Sequence, residues 1–133
     1  MNKYNINLRV YYEDTDAGGI VYHANYLKFM ERARTEWVRS LGVNQHNLLE
    51  QSLGFVVIDM NIRFQHSAKL DDMLSVSCDV TTIKRASLVF EQSIIHEGKV
   101  LVTATVKVAC VNTSTNKPRA IPSTILKEMR SGH

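Results

Sequence analysis

Two cysteines in 133 residues, with no CxxC spacing, are too few for a disulfide framework and exclude the zinc-finger and zinc-ribbon classes. His23, His46, His66 and His96 are widely spaced, with no HxxxH or HExxH pairing, which argues against a metal hydrolase. Apolar runs extend for only a few residues, too short for a transmembrane helix. The opening MNKYNINLRV lacks the apolar core of a secretory leader. Internal repeats, linkers and low-complexity tracts are missing too. These absences lead to the expectation of one soluble, cytoplasmic domain over residues 1–133, without an integral membrane segment.

What is present looks globular. Hydrophobic residues make up 44% and charged residues 22%, against disorder and fibrous repeats. The net charge is +3 from 16 basic and 13 acidic side chains, unevenly spread. Residues 99–133 carry Lys99, Lys107, Lys117, Arg119, Lys127 and Arg130 against Glu128 alone. Such a stretch is either a solvated face or a surface for an acidic or phosphorylated partner. The basic residues stand singly, without an aromatic platform, so nucleic acid is not an expected partner.

Periodicity divides the chain. Leu8, Val10, Tyr11 and Tyr12 read as a short strand ending at the acidic, glycine-rich residues 13–19. Residues 25–41 show helical spacing through Leu27, Met30, Ala33, Trp37 and Leu41, with Gly42 as the stop. A second short helix is expected within 43–53. Residues 55–64, 74–83, 88–95 and 100–111 read as strands; Leu74, Val76, Cys78 and Val80 alternate with Ser75, Ser77, Asp79 and Thr81. Glu97-Gly98 suits a tight hairpin, and residues 84–86 leave room only for a turn. A terminal helical turn is expected over 123–129. The order predicts an α+β domain, a five-stranded antiparallel sheet around one long helix, with the last four strands as a meander. One helix about 10–12 Å wide cannot cover five strands spaced about 4.8 Å apart, so a homo-oligomer is also expected.

The chemically conspicuous stretch is Glu13-Asp14-Thr15-Asp16-Ala17-Gly18-Gly19-Ile20-Val21-Tyr22-His23-Ala24-Asn25-Tyr26. Three carboxylates within four positions repel one another, and folding a loop does not require them. Gly18-Gly19 permits close approach of a ligand. The segment leads into the start of the long helix, where unpaired N–H groups favour negative charge. These are the parts of an acyl-transfer site. The competing reading is a surface turn whose Asp caps the helix. Cys78 and Cys110 fall on apolar strand faces, which argues against a cysteine nucleophile.

Asp14-x-Asp16-x-x-Gly19-x-Val21-Tyr22-His23-x-x-Tyr26, followed by Glu31-x-Ala33-Arg34, resembles the signature of the 4-hydroxybenzoyl-CoA thioesterase-like proteins of the hotdog fold. Within them it is most similar to the YbgC-type acyl-CoA thioesterases, the branch linked to the Tol–Pal cell-envelope system. The likeness covers nearly the whole chain, including Leu70-Asp71-Asp72, residues 86–90 and residues 117–122. His66-Ser67 departs from it, since relatives often carry a proline there, and no role is carried over at those positions.

The resemblance implies hydrolysis of acyl-CoA, with short aliphatic acyl groups favoured, and no cofactor, CoA being part of the substrate. It makes Asp16 the catalytic carboxylate, either as nucleophile or as general base. It puts the thioester oxygen at the backbone N–H of His23, whose side chain is a second catalytic candidate, and it makes Gly19 the point of close approach. Tyr22 and Tyr26, with Phe64, are expected along the acyl wall. Lys84, Arg85 and Ser87 are expected to meet the phosphates and pantetheine. Glu31 is read as a structural partner of Arg32 or Arg34. The implied assembly is a dimer or a dimer of dimers. Acyl carrier protein as the thioester carrier, a non-catalytic acyl-CoA or protein-interaction module, and a peripheral place at the inner membrane remain open.

Overall fold

The long helix forms where the apolar stripe recurs every three or four residues. In the computed structural model, which describes residues 4–131, it is α1, His23–Ser40. Tyr26, Phe29, Met30, Ala33, Trp37 and Val38 are buried along one face. Gly42, with φ of +82°, follows its end as the stop that the sequence predicts. Its N-terminus is different. The residue before the first turn is Tyr22, and no side chain caps it. The capping Asp of the competing reading is therefore absent from the site it would need.

The other elements are β1 (Tyr4–Arg9), α2 (Gln45–Glu50), β2 (Leu53–Phe64), β3 (Met73–Ile83), β4 (Ser87–His96), β5 (Lys99–Asn112) and α3 (Ser123–Ser131). The first strand lies earlier than expected. Tyr4, Ile6, Leu8 and Val10 face inward in alternation, whereas Tyr12–Asp14 is a single 3-10 turn. Glu97 and Gly98 both take positive φ between the paired His96 and Lys99, as a two-residue hairpin requires.

The strand order is β1-β3-β4-β5-β2, all antiparallel, which corrects the four-strand meander. Only β3, β4 and β5 follow one another. β2 pairs instead with β5, from Leu53↔Asn112 to Phe64↔Val102. Period-two alternation reports which side chains face the core and carries no information about the neighbouring strand. The connection over 65–72 passes the N-terminal end of α1 and delivers the chain to the other side of the sheet.

α1 packs on β1, β3 and β4. A cavity of about 140 Å³ remains towards β2, lined by Arg34, Val38, Phe55, Val57 and Leu88 among others. β2 is an open edge, with Val56, Val57 and Ile58 exposed and a register irregularity between Val57 and Asp59. No helix among the described residues is long and apolar enough to cross a membrane.

Candidate active site

Residues 15–22 form a tight loop closed by an antiparallel bridge between Thr15 and Val21. The Asp16 N–H donates to the Ile20 carbonyl at 2.9 Å, and the Gly19 N–H donates to the Asp16 carbonyl at 3.0 Å. The Gly18 N–H donates to Asp16 Oδ1 at 2.8 Å. Gly19 takes φ of +79°, a conformation open to glycine and strained for other residues. One carboxylate oxygen is thus held by the loop, and the Asp16 side chain remains exposed.

Asp16 lines a crevice of about 210 Å³ with Ile20, Val21, His23, Tyr26, Phe64 and residues 65–67. His23 opens α1, so its backbone N–H belongs to the uncapped first turn beside the crevice. Its ring stands 4.6 Å from that of Tyr22 and 6.1 Å from that of Phe64. Among the described residues no hydrogen bond links the His23 ring to Asp16. Tyr22 is exposed against His23 and does not line the crevice. Tyr26 does, though it is only 3% exposed, and its hydroxyl accepts the Ala68 N–H at 2.9 Å. Burial chiefly raises the Tyr26 pKa. The hydrogen bond from Ala68 opposes this, and Asp72 and Asp16 add to it, so the phenol keeps its proton.

The acidic cluster divides by task. Asp14 is 4% exposed; it accepts the Tyr11 N–H at 2.8 Å on Oδ2 and the Asn25 side-chain amide at 2.9 Å on Oδ1. Its backbone carbonyl accepts the Tyr22 N–H at 2.9 Å. Asp14 is a brace for the loop and the helix start, which corrects the view that folding had no use for these carboxylates. Glu13 is exposed. Only Asp16 reaches the crevice. Asn25 lies in the conspicuous stretch, but the sequence gives it no role; its partner Asp14 is eleven positions away. Sequence reading also assigned nothing to His66 and Ser67, which line the crevice where the sequence departs from the familiar pattern.

Two further expectations change. Glu31 makes no ion pair within 4.0 Å among the described residues, although its charge acts on Arg34 against the burial that lowers the Arg34 pKa. Arg34 turns inward instead, and its Nη1 donates to Gln92 Oε1 at 2.9 Å. Lys84, Arg85 and Ser87 lie at the opposite end of the sheet from Asp16. Ser87 pairs with Ala109 near the Leu53 end of β2, whereas Asp16 sits by Phe64. An 11-residue strand such as β3 spans about 36 Å, so one chain does not bring these groups together. The basic turn is joined instead to residues 117–122: Ile121 N–H donates to the Arg85 carbonyl at 2.8 Å, and Arg119 N–H to the Cys110 carbonyl at 2.9 Å. Cys78 and Cys110 are buried and free, and burial pushes the Cys78 thiol up to about 12. Among the described residues, no group of three His, Cys, Asp or Glu is placed to hold a metal ion.

The family model described as the thioesterase-like superfamily matches residues 10–129. The chain belongs to that superfamily. Its curled sheet around one helix is the hotdog fold of these thioesterase-like proteins. It is 50% identical over 125 residues to the acyl-CoA thioesterase YbgC of Haemophilus influenzae, covering 93% of this chain and 92% of that protein. It is 46% identical over 124 residues to the acyl-CoA thioester hydrolase YbgC of Escherichia coli O157:H7, covering 92% of each. Among solved structures, a probable thioesterase from Bartonella henselae superposes with a TM-score of 0.82 at 38% identity. That match covers 90% of this chain and 98% of the other.

Proposed function

We propose that this protein hydrolyses the thioester bond of acyl-CoA, with Asp16 as the attacking carboxylate or as the base for water. The observation that carries this reading is a carboxylate in a crevice beside an uncapped helix N-terminus, in a chain whose relatives at 46–50% identity are named for this activity. A thioester carbonyl is electrophilic, and a leaving thiol with a pKa of about 8.5 departs without a strong general acid. The remaining need is stabilisation of the oxyanion. The His23 N–H supplies it, with the helix dipole behind it; such a donor contributes about 3 kcal/mol in a transition state. The His23 ring orients water at the crevice. Gly19 lets the loop approach the substrate, and Tyr26 and Phe64 wall the acyl group, with Tyr22 at the rim. A preference for short aliphatic acyl groups belongs to this reading, as the family resemblance implies. The reading includes a cytoplasmic location, where free thiols such as Cys78 and Cys110 persist.

CoA is completed by a second copy. Of the two edge strands, β1 and β2, β2 exposes Val56, Val57 and Ile58, and antiparallel pairing of two β2 strands about Ile58 reverses one sheet against the other. The end carrying Lys84, Arg85 and Ser87 in one copy then lies at the Asp16 end of the other, where it meets the phosphates. The test is thiol release from acyl-CoA esters of graded chain length, with Asp16→Ala as control. Wild-type rates in that variant would remove the assignment.

A second reading takes the acyl group from acyl carrier protein. Its support is the junction of Lys84 and Arg85 with Lys117 and Arg119, which gathers two basic segments on one end of the molecule. Hydrolysis of carrier-bound but not CoA-bound acyl groups would select it.

A further inference from the structure

We propose that Tyr26 is a positioning residue: through the Ala68 backbone, its phenol oxygen ties the loop that carries Asp16 to the first turn of α1. The inference rests on the reading of Asp16 as the reacting carboxylate. Tyr26 follows His23 by three positions, so its ring and the His23 N–H are rigidly related by one helical turn. From its hydroxyl the contacts run outward in order. Ala68 N–H donates to Tyr26 Oη at 2.9 Å, and the Ala68 carbonyl accepts the Val21 N–H at 2.9 Å. Lys69 bridges to Ile20, whose carbonyl accepts the Asp16 N–H at 2.9 Å. Ala68 is thereby held from both sides, by the helix and by the loop. The peptide through Tyr22 and His23 closes the ring.

Packing does not account for the hydroxyl. The Tyr26 ring meets Phe29 edge-on at 6.1 Å and Phe64 at 5.9 Å, contacts a phenylalanine would also make. The oxygen is needed because Ala68 is fully buried and its N–H has no backbone acceptor among the described residues. Asp14 braces residues 15–22 on one side, and the hydroxyl adds a hydrogen bond from α1 to Ala68 on the other. A shift of about 1 Å between carboxylate and oxyanion donor is enough to slow a reaction by about 10²-fold.

The experiment compares wild type, Tyr26→Phe, Asp16→Asn and the double variant on one short acyl-CoA, with amide hydrogen exchange on the same proteins. Tyr26→Phe is expected to lower kcat about tenfold or more, leave KM within about twofold, and speed exchange at Ala68 and Val21 while mid-helix amides stay protected. In the Asp16→Asn background the same change is expected to cost nothing further. Wild-type kcat in Tyr26→Phe, a loss confined to KM, a full additional loss in the double variant, or unchanged exchange at Val21 would each overturn the proposal. If Asp16→Asn is as active as wild type, the reading of Asp16 fails while exchange still decides the tether. Should Tyr26→Phe not fold, the wild-type Ala68 amide decides: protection to the level of Val21 supports the tether, and free exchange overturns it.

Discussion

Asp14 and Asp16 are two positions apart and lie in opposite surroundings, one buried and one exposed. Asp14→Ala leaves the Tyr11 N–H and the Asn25 amide without their acceptor in a partly buried place, and it should destabilise the fold by about 1–3 kcal/mol in urea titration. Asp16 is exposed, with one hydrogen bond from the loop. Its replacement by Ala should change stability by less than about 0.5 kcal/mol and lower kcat by about 10²–10⁴-fold in a thiol-release assay. Spacing alone does not separate such neighbours, because the difference lies in what surrounds each carboxylate after folding. Cys78 gives a second test at this scale. Burial raises its thiol from 9.0 to about 12, with Arg34 opposing and Asp79 assisting. The unfolded chain therefore ionises first. The contribution to stability is full below pH 9 and is lost as pH rises towards 12. Urea midpoints should fall over that window in wild type and fall less in Cys78→Ala, and a thiol reagent at pH 8 should modify Cys78 only as fast as the protein opens.

Among elements, α1 was legible because its stripe and its glycine stop are local signals. Its attachment to the sheet was not. Gln92 is 3% exposed; its Nε2 donates to the Met30 carbonyl at 3.0 Å and the Ser77 carbonyl at 3.2 Å, and its Oε1 receives Arg34. One β4 side chain thus joins β3, β4 and the middle of the helix. Gln92 sits at a core-facing position of an apolar strand, so the sequence pattern reads it as an exception, and its partners are 15 to 62 residues away. Gln92→Leu should cost about 2–3 kcal/mol by taking away the hydrogen-bond acceptor of the inward-turned Arg34 Nη1 and the side-chain link between the helix and β3. Replacing Arg34 by Leu as well should recover part of that loss, and denaturant midpoints of the three variants check it.

At the scale of the whole molecule, the proposed pairing with a second copy answers both the open β2 edge and the separation of Asp16 from the basic turn. Ile58 is 54% exposed at the irregular centre of β2, so Ile58→Glu should leave a single chain folded. On the proposed pairing it should shift the light-scattering mass to the monomer and raise KM for acyl-CoA by separating Lys84 and Arg85 from the Asp16 crevice. An unchanged mass would reject this edge as the interface. The chain by itself determined the element types, the inward faces of the strands, the hairpin at Glu97-Gly98 and the carboxylate-glycine loop running into a helix. Each depends on residues a few positions apart, where side-chain periodicity and backbone preference act. Strand order, the brace at Asp14, the Arg34–Gln92 contact and the distance from Asp16 to Lys84 were decided only by tertiary structure. These depend on which distant segments meet, and a period-two pattern is equally satisfied by any neighbour that covers the same face.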